Sequence, residues 1–373
     1  MKETKIIVID DDPTGSQTVH SCLLLTRWDV ETLLGALQDE SPLFFILSNT
    51  RGVDAAQAAR VTLDISVNLE LALGELKKQG GAINPIMVSR SDSTLRGHYP
   101  VETDVIAEEL GPFDAHFMVP AFFEAGRFTR DSIHYLVVDG KPVPVHETEF
   151  ARDSVFGFST ACLPDYVEEK TAGGIRAAQV ERFLLDDVRG DCRDRLRELA
   201  DNVCCVVDAE TQADLNDFAR QLQEVAGEGK RFLFRSGASL LTALAQLPAQ
   251  PVAAEAMHAY TRGGRAGAVV AGSHVSKTTL QLEELLKMPG VAAIEIDVER
   301  IESQRDAMLA AISDQAAQLH GDGITPVIFT SRTEKTFADQ ATRLAFGATV
   351  SAFLMDVVRN LPATLGFLIS KGG

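Results

Sequence analysis

Residues 86–98 read Ile86-Met87-Val88-Ser89-Arg90-Ser91-Asp92-Ser93-Thr94-Leu95-Arg96-Gly97-His98. Three apolar residues give way to four hydroxyls, one carboxylate and two guanidinium groups. An apolar run that stops at such a cluster predicts a buried strand carrying polar side chains to its C-terminal edge, where open α/β sheets bind their ligands. Arginines and hydroxyls at that edge suit a small anion with several hydroxyls. The competing role is a helix cap at Ser91, Asp92 or Ser93. A cap uses one polar side chain and leaves the others unexplained, so ligand binding is the favoured reading.

The pattern repeats on either side. Lys5-Ile6-Ile7-Val8-Ile9 is a β-branched run, read as the first buried strand of a parallel sheet. It ends in Asp10-Asp11-Asp12-Pro13-Thr14-Gly15. Three adjacent carboxylates repel one another unless a magnesium ion or an arginine sits among them. Capping of a helix that starts at Pro13 would explain Asp12 but not Asp10 or Asp11. Leu43-Phe44-Phe45-Ile46-Leu47 is a second strand, and its polar end carries Arg51 to the same rim. From position alone, Arg51 contacts ligand or bridges one of the aspartates. Helices are expected near 54–78, 102–110 and 212–225, and strands near 116–122, 203–208 and 231–235. Asp139-Gly140 between β-formers predicts a hairpin. His146 lies near carboxylates but lacks a second histidine at helical spacing, so a structural role is favoured.

Two prolines and then Gly263-Gly264-Arg265-Ala266-Gly267 mark a linker, which divides the 373 residues into domains at 1–250 and 268–373 with 251–267 between them. Beyond it the pattern restarts: a strand at 268–271, the turn Gly272-Ser273-His274-Val275-Ser276-Lys277, then a helix. That turn misses the Walker spacing; a noncanonical nucleotide loop and a plain strand-to-helix turn both fit it. Strands near 294–296, 326–331 and 365–370 alternate with helices near 298–319 and 336–360. The fold class expected is α/β, two domains, each a mostly parallel sheet flanked by helices.

A net charge of −18 argues against a nucleic-acid partner. Five cysteines without metal spacing suit reduced thiols and a cytoplasmic setting. No signal peptide and no membrane-length apolar run is expected. The second domain stops at Lys371-Gly372-Gly373, where a glycine loop and a further helix would be expected to follow.

Several motifs together resemble the four-carbon acid sugar kinase family. They are Asp11-Asp12-Pro13-Thr14-Gly15, Asp92-Ser93-Thr94-Leu95-Arg96-Gly97, Pro120-Ala121-Phe122 with Gly126-Arg127, Glu147-Thr148-Glu149-Phe150 with Asp153, Asp208-Ala209-Glu210-Thr211, and Gly272-Ser273. The resemblance implies an N-terminal domain that binds a sugar acid and a C-terminal domain that binds the nucleotide, incomplete at its end in this chain. It implies ATP and Mg²⁺ as cofactors and transfer to a hydroxyl of an acid of the threonate, erythronate or 3-oxo-tetronate type. It places substrate contacts at Asp11, Arg51, Ser89, Arg90, Ser91 and Asp92, and nucleotide contacts at Ser273, Gly372 and Gly373. In this reading Arg51 and Arg90 hold the substrate carboxylate, Asp92 or Asp11 accepts the hydroxyl proton, and Arg96 braces Asp92 or touches ligand. The partner is a small sugar acid, with self-association into a homo-oligomer left open. Two rivals stand beside it: a haloacid-dehalogenase-like phosphatase using Asp10 as nucleophile and Asp12 as acid/base, and a noncatalytic sugar-acid-binding protein.

Overall fold

The computed structural model describes residues 3–247, 252–333 and 335–372. Contacts divide the chain into residues 1–249 and 250–373.

In the first unit, strands β1 (Glu3–Asp10), β2 (Leu23–Leu25), β3 (Leu43–Leu47), β4 (Ile83–Arg90) and β5 (Ala115–Val119) alternate with helices α1 (Val30–Gln38), α2 (Ala55–Lys78) and α3 (Val101–Leu110). An antiparallel meander follows: β6 (Arg127–Arg130), β7 (Ile133–Val138) and β8 (Lys141–Pro144). Its second turn is the expected Asp139-Gly140, both at positive φ. Helix α4 (Leu163–Lys170), strand β9 (Glu181–Phe183), helices α5 (Leu185–Arg189) and α6 (Arg193–Glu198), strand β10 (Val203–Val207), helix α7 (Gln212–Gly227), strand β11 (Phe232–Ser236) and helix α8 (Ala238–Ala245) complete it.

Eight strands form one parallel sheet in the order β2-β3-β1-β4-β11-β5-β10-β9. The chain builds outward to one side of β1 and then, from β4, to the other, so a topological switch point lies between β1 and β4. Strand β11, late in sequence, sits between β4 and β5. The continuous apolar runs follow from burial on both faces. Val8, Phe45, Val88, Phe117 and Phe234 pack one core, while Ile7, Phe44, Ile46, Met87 and Leu233 pack the other.

The second unit runs β12 (Ala268–Ala271), α9 (Ser276–Leu285), β13 (Val291–Ile296), α10 (Ile301–Gly321), β14 (Thr325–Thr330), α11 (Gln340–Arg359) and β15 (Leu368–Lys371). Its four strands are parallel in the order β13-β14-β12-β15. Val270, Ile294 and Ile328 pack under α10 and α11, and Val269, Ala271 and Val327 under Leu282 of α9. Two parallel sheets flanked by helices agree with the α/β class expected from sequence.

Two capping alternatives drop out, and one expectation changes. No helix starts at Ser91, Asp92 or Ser93; α3 begins at Val101 after Pro100. No helix starts at Pro13 either: Asp12 Oδ1 accepts from the Thr14 N–H at 2.9 Å and from its hydroxyl, an Asx turn before a short 3₁₀ turn at Gly15–Thr18. Finally, α11 is long and apolar enough by composition alone to cross a membrane. It lies against the core through Phe353 and Val357.

Candidate active site

The ends of β1, β3, β4 and β11 are stitched together by backbone hydrogen bonds. Asp11 donates its N–H to Arg90 O (3.2 Å), Ser48 to Asp10 O (2.9 Å), Arg51 to Asp11 O (3.2 Å) and Ser91 to Ser236 O (3.0 Å). Four separate segments thus converge at the switch point, on the C-terminal edge of the sheet.

The cations among the three carboxylates are arginines. Arg51 Nη2 lies 2.5 Å from Asp11 Oδ1 and Arg51 Nη1 lies 3.4 Å from Asp12 Oδ2. Arg90 Nη1 lies 3.5 Å from Asp10 Oδ1 and 3.8 Å from Asp11 Oδ1. The Ser91 hydroxyl donates to Asp11 Oδ2 at 2.8 Å. Asp11, Arg51, Arg90 and Ser91 therefore form one network, in which Arg51 plays the salt-bridge role left open by its position. Ser89 is 3% exposed and belongs to the strand itself, in register with Ile9 and Arg235.

Asp92 is held by Arg96 Nε at 2.8 Å and by the Thr94 hydroxyl. Arg96 thus braces Asp92, and its Nη1 also lies 3.7 Å from Asp153. Burial pushes the Asp92 carboxyl up, but Arg96, Arg51 and Arg127 pull harder and leave it well below the usual carboxylate range. The backbone around it is constrained. Leu95 has φ 70° although buried, and the Tyr166 hydroxyl donates to its carbonyl at 2.7 Å. Arg235 Nη2 donates to both Asp92 O and Arg96 O at 2.9 Å. Gly97 has φ 120°, and a Cβ there would lie 2.2 Å from Ser91 Oγ and 3.2 Å from Asp11 Oδ2. Such over-determined, sparsely populated conformations gather at functional sites.

Two carboxyls behave differently. Burial pushes Asp10 up to about 7, against the pull of Arg90, and its Oδ2 has no hydrogen-bond partner. A Cβ on Gly15 would meet that oxygen at 2.0 Å, so the turn seals Asp10 from above. A phosphatase nucleophile must be reachable by its phosphate ester, and Asp10 is 0% exposed. Glu102, in the first turn of α3, is also raised to about 7 by burial and by nearby Asp11, and it accepts from the Thr50 hydroxyl. An acidic residue there reads from sequence as a helix-dipole partner; only the tertiary fold reveals that it is buried in the site.

In the second unit, Ser273 follows β12 and is buried. Its hydroxyl accepts from Thr278 at 3.1 Å, and its carbonyl accepts from Arg332 Nη1 at 2.6 Å. Arg332 also donates to the Thr279 hydroxyl through Nε and Nη2 at 3.2 and 3.0 Å. Helix α9 begins at Ser276 with no side-chain cap; its Thr278 and Thr279 N–H groups turn back onto Val275 O at 2.9 and 3.2 Å. Gly272 donates its N–H to Lys371 O at 3.0 Å, which brings the Gly372 end of β15 beside this turn. Gly373 lies outside the described residues. Among the described residues no group of three His, Cys, Asp or Glu is arranged to hold a metal.

Comparison with known proteins adds to this geometry. Residues 6–244 match a sugar-binding N-terminal domain and residues 268–373 a nucleotide-binding C-terminal domain. A D-erythronate kinase from Heliobacterium modesticaldum is 26% identical over 222 residues, which cover 58% of this chain and 47% of the relative. The match thus spans about half of the relative's length. Solved proteins from Salmonella typhimurium LT2 (TM-score 0.58, 19% identity, 99% of this chain and 96% of that one) and Haemophilus influenzae (0.53, 18%, 98% and 86%) share the fold. With both domain models matched in order along the sequence, the chain belongs to the four-carbon acid sugar kinase family.

Proposed function

We propose that this chain is an ATP-dependent kinase that phosphorylates a four-carbon sugar acid, of the threonate, erythronate or 3-oxo-tetronate type, on a terminal hydroxyl. The observation that carries this reading is the network of Asp11, Arg51, Arg90 and Ser91 beside Asp92 at the switch point. Asp92, kept ionised by its arginines, is an acceptor for the hydroxyls of a polyol. The N-terminal domain binds the sugar acid and residues 268–373 take the nucleotide.

Phosphoryl transfer asks for positioning and charge stabilisation more than for covalent chemistry. Asp92 stays ionised throughout the working pH range and orients the attacking hydroxyl, accepting its proton as its oxygen bonds the γ-phosphorus and the bond from that phosphorus to the leaving ADP breaks; Asp11 binds a neighbouring hydroxyl. Arg51 and Arg90 hold Asp11 in place, Arg96 holds Asp92, and together they offset charge near the acid. The turn that holds Ser273, between β12 and α9 and beside Gly372, is where nucleotide phosphates would lie. Mg²⁺ would enter with those phosphates, since the aspartates of the first unit are already paired with arginines.

The test is an ADP-release assay with Mg²⁺·ATP across a panel of four-carbon sugar acids. Turnover on one of them is the expected result. Binding of an acid without ADP release on any would favour a sugar-acid-binding protein. Hydrolysis of a phosphorylated acid without ATP would instead overturn the kinase reading.

A further inference from the structure

Five arginines crowd this edge of the sheet, and they differ in what balances them. Arg51 pairs with Asp11 and Asp12, Arg90 with Asp10 and Asp11, and Arg96 with Asp92 and Asp153. Arg235 and Arg127 have no ion pair among the described residues. Arg235 is 1% exposed and turned onto the carbonyls of Asp92 and Arg96, so it supports the loop from beneath. Arg127 is different because it is only half-buried.

Arg127 stands directly after Gly126 at the start of β6. Its Nη1 donates to Ser93 Oγ at 2.7 Å, one residue from Asp92, while its buried Nε has no partner. The guanidinium sits 5.8 Å from each of the Phe122 and Phe150 ring centroids. Those rings orient it without neutralising it. Burial lowers its pKa against the pull of Asp92, and Arg96, Arg90 and Arg51 lower it further. A desolvated cation facing other cations, with a donor unused, is an arrangement that favours an incoming anion.

We propose that Arg127 receives the carboxylate of the sugar acid, with Ser93 and the two phenyl rings fixing its guanidinium for that contact. This assignment rests on the sugar-acid reading and makes Arg127 the residue that separates acids from the corresponding polyols. An arginine is suited to the task because its planar fork matches a carboxylate, which a lysine ammonium does not.

The experiment is calorimetry on the full chain with D-erythronate and L-threonate, and with erythritol and threitol as uncharged counterparts. A non-hydrolysable ATP analogue and Mg²⁺ are present, and wild type, Arg127→Lys and Arg127→Met are compared. Arg127→Met is expected to weaken the bound acid about 30- to 100-fold and Arg127→Lys about 10-fold, with polyol affinity unchanged. Tm of Arg127→Met is expected to stay close to the wild-type value, because losing the Ser93 hydrogen bond is offset by no longer burying a cation with an unpartnered Nε. Wild-type binding of an acid that Arg127→Met matches overturns this assignment alone. A joint loss of acid and polyol affinity with a lowered Tm makes Arg127 a structural residue and overturns it too. Wild type that binds none of these acids overturns the proposed function and this assignment with it.

Discussion

The two units end their first strand in the same way, a parallel strand followed by a polar turn, yet they fill that turn differently. After β1 the turn holds three aspartates balanced by Arg51 and Arg90, nearly all of it buried. After β12 it holds Ser273 and the hydroxyls of Thr278 and Thr279, tied together by Arg332. A polar turn at the end of a buried parallel strand thus supports a charged, desolvated network in one place and a mostly neutral one in the other. The difference suits the ligands proposed for them. A polyol needs fixed acceptors, which must be buried and held by counter-charges, whereas phosphates need N–H donors, which a helix terminus supplies without any side-chain charge.

This contrast predicts unequal costs of deletion. Asp92→Ala leaves Arg96 without its closest partner and Arg127 without its nearest counter-charge, so we expect a loss of about 3–5 kcal/mol in denaturant melts, as for other broken buried ion pairs. Turnover should vanish with it. Asp92→Asn should recover much of the stability but not the activity; full recovery of both would mean that Asp92 only braces the loop.

A middle-sized effect comes from pH. Asp10 and Glu102 have folded values near 7, above their ordinary 3.8 and 4.5. Between those values the native state holds protons that the unfolded chain has released, so their contribution to stability is full below about pH 4 and is lost as pH rises through about 7. Asp92 works in the opposite direction: its contribution is present above the ordinary carboxylate range and is lost as pH falls toward its depressed value. Glu102→Gln should flatten the upper limb and raise Tm at pH 8 by roughly 3 °C, measured by melts from pH 5 to 8. An unchanged slope would mean that Glu102 is ionised and compensated in the fold.

The smallest effect is expected in the second unit. Ser273→Ala removes one neutral hydrogen bond and should cost about 1 kcal/mol. Steady-state kinetics should show KM for ATP rising several-fold with little change in KM for the sugar acid. A loss as large as that of Asp92→Ala would erase the distinction between the two turns.

The readable part of the sequence was the part governed by two-sided burial. Val88, Val8 and Phe45 lie in unbroken apolar runs because both faces of the sheet are covered, and the polar residues after each run follow the strand to its edge. The edge strand β2 gives no such signal: Leu23 and Leu24 are 39% and 41% exposed, and three leucines before a tryptophan have no period to read. The candidate site was legible as a set of residue types but not as a set of pairings. Arg51, Arg90, Arg96 and Arg127 are all arginines at strand ends or in the polar segments beside them, and only the three-dimensional fold sorts them into three that meet carboxylates and one that does not. Glu102 was hidden by its ordinary place in a helix, since the Thr50 hydroxyl it accepts from and the Asp11 charge that acts on it lie far away in sequence.

The position of β11 has a consequence for how the protein is made. This strand is inserted between β4 and β5, and its Ser236 carbonyl receives the Ser91 N–H that opens the Asp92 loop. A ribosome that has released only the first two hundred residues has therefore exposed a sheet with a slot in its middle, and the loop at residues 91–97 lacks one of its anchors. Nascent chains of increasing length should become resistant to protease at this loop in a single step, when residue 236 clears the exit tunnel, rather than gradually as each earlier strand emerges.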